Sequence, residues 1–459
     1  MSRKLILTSL LAIAACGDDP QPAGVDAPQS PDTPGGGSVI RLNDNITADT
    51  TFTADNVYVI PRLKQLFVEA PAVLTIEPGT VIQGEQGAVL VITRGAKIMA
   101  AGTVDKPILL TSAQADGQKT PAFWGGLLVL GAAPINVNVN SVPPSTEATF
   151  EAFTSAIPEG KFGGTNPADN SGVIKYVRIE FAGFNFVADR EFNNLTLCGV
   201  GSGTVVDFVQ VHKGSDDGVE LFGGTVNVKH IVSSQNEDDG FDTDNGWQGK
   251  AQFIIVQDVS HPPVLAEATN GYESDNHGTA ASFTAMPRTL PTVYNVTLIG
   301  DHDYAGQKSF AAVFRRGTGG HYFNQMWLNF PIGIEFRDQE TKDQLDTGNL
   351  EIRNSLVFGN DAGGLNYPPA QAAPAVDIDE KSYLESATLG WQNRVGIDPG
   401  MPANMLDKQT PNFKPNAGGA ALTGGATPPN DGFFDPTATF VGAVGTDDWT
   451  AGWTKYPQN

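Results

Sequence analysis

Cysteine is almost absent from this chain: two residues in 459, Cys16 and Cys198. A disulfide framework is excluded as the source of stability, and no Cys/His spacing for structural zinc occurs. Histidine is scarce too. The six are scattered, without an HExxH pattern, and read as turn or surface residues rather than ligands. Basic residues are outnumbered, 28 Lys and Arg against 51 Asp and Glu, for a net charge of −23. That deficit excludes nucleic acid and anionic lipid surfaces as direct partners. No glycine-rich stretch has P-loop spacing or a strand–GxGxxG–helix setting, so nucleotide binding has no support; Gly199–Gly203 reads as a tight turn between strands. Beyond the first 16 residues no apolar run is long enough to cross a bilayer.

What the chain does have is repetition. Asp216-Asp217-Gly218-Val219-Glu220 returns 22 residues later as Asp238-Asp239-Gly240-Phe241-Asp242, and Asn270-Gly271-Tyr272-Glu273-Ser274-Asp275 follows 31 residues on. With drift, the register reaches back to Leu195 and forward to Val313 and Ile334. A second strand pattern precedes this slot in most units, as in Val205–Val211 and Asn227–Ser233. Short strands repeated in one order at this period predict a solenoid of parallel strands. Side chains alternate in and out along each strand. Leu195, Val219, Phe241, Tyr272, Val313 and Ile334 are then expected in one inward column, with Thr196, Glu220, Asp242, Glu273, Phe314 and Glu335 in the next, outward one. The following outward column reads Cys198, Phe222, Asp244, Asp275, Arg316 and Arg337.

Carboxylates concentrate on that outward face. Successive rungs lie about 4.8 Å apart, so Glu220, Asp242 and Glu273 are stacked like charges that repel unless something screens them. Calcium suits such all-oxygen ligation. The candidate metal ligands are Glu220, Asp238, Asp239, Asp242, Asp244, Glu273 and Asp275, although Asp-Asp-Gly is not an EF-hand loop. Glu335 is expected to be exposed and outside the site. The competing reading is a solvated acidic ladder relieved by Arg316 and Arg337 through salt bridges. Cys198 is expected to be a small packing residue, since no nearby His could activate it.

The N-terminus, residues 1–15, has a basic start (Arg3, Lys4) and an apolar run, the pattern of a secretory signal. Its end, Ile13-Ala14-Ala15-Cys16, resembles a bacterial lipobox, which implies a lipid on Cys16, membrane attachment through that lipid, and a place in the cell envelope, at the outer membrane or cell surface. Residues 16–38, rich in Pro, Gly and Asp, read as a linker. Residues 39–360 are assigned to the solenoid, and 361–459 to an irregular C-terminal cap over the last rung, with a short helix around Tyr383–Trp391. Excursions are expected at Pro134–Ala168 (a polar loop), Ser260–Thr269 and Asn276–Pro291. A monomer is expected.

Several phrases carry a resemblance: LTIEPGTVI (74–82), ITRGAKIMAAGT (92–103), KPILLTS (106–112), FWGGLLVLG (123–131), residues 170–183, and the closing FFDPTATFVGAVGTDDWTAGWT (433–454). They are similar to bacterial surface lipoproteins and secreted proteins with a right-handed parallel β-helix, a polysaccharide-lyase-like solenoid mostly without assigned activity. The resemblance implies an all-β fold. Two function classes stay open. One is a non-catalytic surface lipoprotein, calcium-stabilised, that binds polysaccharide or another surface component. The other is a calcium-dependent polysaccharide lyase acting by β-elimination, with Lys213 or Arg316 as candidate base, or a glycoside hydrolase using two carboxylates such as Asp242 and Asp275. The binder is preferred, because Arg316 and Arg337 follow the acidic column rather than being flanked by it, and Lys213 lies at a strand end.

Overall fold

The computed structural model describes residues 37–141, 144–154, 156–186, 192–259, 269–301, 309–360, 366–368 and 376–459. Cys16, the leader, most of the expected linker and residues 260–268 lie outside them. Each coil consists of three short strand segments separated by corners. Val219–Phe222 leads through a corner into Asn227–Ser234, and that strand into Phe241–Asp244, one full turn above Val219–Phe222. Repeated coil upon coil, this makes a right-handed parallel β-helix.

Its first face is a nine-stranded sheet running from Gln65–Val68 to Ile332–Phe336, every pair parallel. The second and third faces share a 16-stranded sheet. From Gly172–Glu180 onward a single strand spans both faces and bends at one residue. The bending residues Tyr176, Phe208, His230, Phe253, Asn295 and Asn324 all take left-handed φ values, 48°, 53°, 52°, 61°, 55° and 58°. Only asparagine tolerates that region well; the aromatic residues incur roughly 1 kcal/mol or more each. Stacking offsets the strain, with centroids 4.4 Å apart for Tyr176–Phe208, 4.1 Å for Phe208–His230 and 4.9 Å for His230–Phe253.

The core runs up the middle of the coil. Leu195, Val219, Phe241, Tyr272, Ala312 and Ile334 are aligned rung on rung and buried. The expected inward column holds at Leu195, Val219, Phe241, Tyr272 and Ile334 and slips by one residue only at the strand between the last two. Ala312, not Val313, points inward; Val313 joins Glu273 and Glu335 on the outward column, and Phe314 turns inward beside Ser274 and Phe336. Because the side-chain period is two, a spacing of 22 rather than 21 between these last strands exchanges the faces. One run of hydroxyls inside is paired: Thr243 bonds to Ser274 (2.9 Å), Tyr272 to Tyr322 (3.0 Å) and Ser274 to Thr318 (2.8 Å).

Two excursions close over the sheets. Residues 134–168, expected to be a polar loop, bring an apolar layer instead. Ile135, Phe150, Phe153 and Phe162 pack on Phe67, Val91, Leu128, Phe192 and Phe222 of the first face. Cys198 lies in this layer, fully buried, and burial raises its thiol pKa well above the ordinary value, so it packs rather than reacts. At the far end Ile378, Leu384 and Trp391 join the core over the last coil. The helix here is Glu380–Leu384, capped by Asp379, and Arg394–Val395 pairs with Leu356–Phe358.

The cap is only the beginning of the C-terminal segment. From residue 397 the chain doubles back to Gln257 and Gln235 by residue 408, returns to Arg394 at residues 420–423, and from Ala426 runs over the sheet toward the N-terminal coils. Outward amides of the sheet hold it by reciprocal pairs: Gln210 Nε2 donates to the Lys455 carbonyl (2.7 Å) while Lys455 N–H donates to Gln210 Oε1 (2.9 Å). Asn324 does the same with Ala426, at 2.9 and 2.6 Å. Trp449 and Trp453 lie edge-on against the Phe208 ring of the corner stack.

Candidate metal centre

The site begins at the corner entering the first face. Gly218 and Gly240 are required there by close approach: a Cβ would meet Ser233 Oγ at 2.1 Å in the first case and a Val256 methyl at 2.1 Å in the second. Just before each glycine stands an Asn or Asp whose side chain bonds up or down the solenoid. Asn193 Oδ1 accepts from Asp217 N–H (3.2 Å), Asp217 Oδ1 from Asp239 N–H (2.9 Å), Asp239 Oδ1 from Asn270 N–H (2.8 Å), and Asn270 Oδ1 from Phe310 N–H (3.2 Å). The two outer members show that a neutral amide does this work. Asp217 and Asp239 each add a negative charge that the ladder does not need.

Three residues further on, the outward column reads Thr196, Glu220, Asp242, Glu273, Val313 and Glu335. The expected stack of Glu220, Asp242 and Glu273 is present, on adjacent rungs. Three sets of carboxylates have donor atoms within 4.8 Å of one another: Asp216–Asp217–Asp238, Asp217–Glu220–Asp242 and Asp239–Asp242–Glu273. Asp217 links the first two sets, and Asp242 the last two. Asp217, Asp239, Asp242 and Glu273 are buried; Glu220 is half-buried.

Burial, and then the charge of neighbouring carboxylates, raises the pKa of Asp217, Glu220, Asp239, Asp242 and Glu273 well above the ordinary carboxylate range; the foremost such neighbour is Asp216 for Asp217 and Asp238 for Asp239. Asp244 is pushed up to about 7, by burial first and Asp275 second. Oδ1 of Asp242 is buried and has no hydrogen-bond partner. A buried, unpaired carboxylate oxygen facing other carboxylates is costly unless a cation or a proton fills the gap. The donors are all oxygen and lie at the separation a shared ion needs, so calcium fits this set.

The remaining sequence candidates fall in different places. Asp244 and Asp275 belong to none of the three donor sets among the described residues. Oδ1 of Asp244 accepts from Asn245 N–H, and Asp275 is engaged by two arginines. One of these, Arg315, was not foreseen: it occupies the outward slot above Asp275 where the sequence placed Arg316. Its Nε reaches Asp275 Oδ1 at 2.9 Å, and its terminal nitrogen reaches Glu273 Oε1. Arg316 sits one residue later, at the corner with φ 56°, and donates to Asp275 Oδ2 at 2.7 Å. Glu335, expected to be exposed, is buried and ion-paired with Arg337, since the neighbouring column brings that guanidinium over it. Lys213 donates from Nζ to the Gln458 carbonyl (2.9 Å) in the returning C-terminal segment.

The signal for Arg315 was available once the last strands are spaced by 22. The Asx ladder was available too, as an Asn or Asp two residues before each of Leu195, Val219, Phe241 and Tyr272. Nothing among curated proteins or solved structures matches the chain. The family model described as a pectate-lyase-like β-helix domain matches residues 44–387, three quarters of the sequence and nearly all of the solenoid just described. The chain belongs to the pectate-lyase-like β-helix domain family.

Proposed function

We propose that this protein is a non-catalytic surface lipoprotein whose β-helix is stiffened by a calcium ion at Asp242 and serves to bind polysaccharide. The observation that carries the cation is Oδ1 of Asp242, buried and without a partner between two other pairs of carboxylates. Family membership supports a polysaccharide-related role in general. The carboxylates are too buried to bridge a metal to a bulky sugar in the manner of an exposed site, which favours a cross-link between coils. The lipobox-like Ile13-Ala14-Ala15-Cys16 supports attachment to the envelope through Cys16.

A lyase is the second reading, raised by the family's description. It needs a base near the metal. Burial works to strip Arg315 of its proton, but the charges of Glu273 and Asp275 outweigh it and raise its pKa further. Arg316 is ion-paired with Asp275. Lys213 has a lowered pKa, from burial and then Lys408, yet its ammonium is bound to the C-terminal segment. Incubation of calcium-loaded protein with acidic polysaccharides, read both by co-sedimentation and by ultraviolet absorbance of unsaturated uronate, separates the two. Binding without product supports the proposal; calcium-dependent product replaces it with a lyase.

A further inference from the structure

The three donor sets are not equivalent, because a resident cation already stands at one end of them. Arg315 projects from the rung above Glu273 and Asp275 and reaches back down. Its Nε donates to both oxygens of Asp275, at 2.9 and 3.2 Å, and its terminal nitrogen bonds Oε1 of Glu273. Glu273 belongs to one donor set only, with Asp239 and Asp242. Among the described residues its other oxygen has only a long contact, 3.4 Å, from Asn270 Nδ2. Glu273 is thus committed to a guanidinium. In the middle set, which shares Asp217 with the Asp216–Asp217–Asp238 set whose other two members are only half-buried, none of Asp217, Glu220 and Asp242 forms an ion pair among the described residues. Glu220 Oε2 accepts from Asn193 Nδ2 at 2.5 Å, Asp217 Oδ1 is used by the Asx ladder, and Asp242 Oδ1 has no partner. A divalent ion brought to the Glu273 end would meet a fixed positive charge at close range in a buried setting, where such repulsion is strong. At the Glu220 end it would meet only negative charge.

Resting on the calcium reading above, we propose that Arg315 closes the Asp239–Asp242–Glu273 set to metal. The cluster then takes a single divalent ion, in the Asp217–Glu220–Asp242 set, and admits a second only when Arg315 is neutralised. The residue acts as a built-in counter-cation that fixes both the stoichiometry of the site and which rungs it joins.

Two substitutions that spare the Asx ladder test this directly, since Asn already fills the equivalent slots at positions 193 and 270. Calcium titration calorimetry on the metal-stripped full chain is expected to give one site. Asp239→Asn keeps that site with a clearly smaller loss of affinity, whereas Asp217→Asn weakens it by about tenfold or more. Arg315→Gln is expected to gain a second site, which the double variant Arg315→Gln/Glu273→Gln loses again. Equal loss in Asp217→Asn and Asp239→Asn overturns the assignment, even if Arg315→Gln does not fold. So does a folded Arg315→Gln that binds one ion as the parent does. Absence of binding in the parent and every variant sinks the calcium reading itself, a different failure from either of these.

Discussion

Asp217 Oδ1 accepts the backbone N–H of Asp239, 22 residues on, at 2.9 Å. The bond joins two coils and places two buried acids one above the other in a ladder whose neighbouring members, Asn193 and Asn270, are neutral. The solenoid therefore carries more negative charge here than its hydrogen bonding requires.

Asp217→Asn and Asp239→Asn should fold, and in chelator at pH 8 each should be more stable than the parent by about 1–3 kcal/mol. Each removes a buried like charge while keeping the accepting oxygen. Denaturant unfolding measures it. A loss of stability in chelator would mean that the carboxylates do something in the metal-free fold beyond accepting that bond.

The inward column is the main source of stability at these coils. Phe241 is buried and stacks on Tyr272 with centroids 5.7 Å apart. Phe241→Ala should cost about 3–5 kcal/mol, and Phe241→Leu clearly less, because the cavity is smaller. Equilibrium unfolding of both variants in saturating calcium checks the order.

The C-terminal segment should loosen in acid. His212 is buried between Ser234 Oγ (2.9 Å) and the Pro457 carbonyl (2.8 Å), and burial lowers its pKa to about 3. The folded state thus resists protonation that the unfolded chain accepts near pH 6.5. The stability this group contributes is complete above that pH and falls as pH drops toward 3, by about 2 kcal/mol between pH 6.5 and 5. His212→Gln, which can still donate to Pro457, should flatten that slope. Hydrogen exchange of residues 455–459 against pH reads the effect locally.

Much of the architecture was legible because it repeats. The 22- and 31-residue spacings put Val219, Phe241 and Tyr272 on one column, and the structure pairs them. Legibility failed where the repeat offered two registers. Ala311-Ala312-Val313-Phe314 has apolar residues at both parities, so hydrophobicity could not choose a face, and the slip carried Arg316 into the slot of Arg315. The returning C-terminal segment was hidden for another reason. Gln210, Gln252 and Asn324 grip it by backbone groups, which every sequence possesses, so no side-chain pattern in residues 397–459 announces the partner.

Envelope attachment is tested apart from the fold. Cys16→Ser should release the protein from the membrane fraction with its melting temperature unchanged, as Cys16 precedes the solenoid by more than 20 residues. Unaltered fractionation would remove the lipid from the account.

The most direct test is thermal unfolding with calcium and with chelator. If calcium binds only the folded chain, stability should rise by about 2.7 kcal/mol at a hundredfold excess over the dissociation constant. Asp242→Asn should abolish that gain, and Asp105→Asn, exposed and distant from the cluster in sequence, should preserve it. A melting temperature indifferent to calcium in the parent would contradict the account and leave an acidic ladder held by protons and by Arg315 and Arg316.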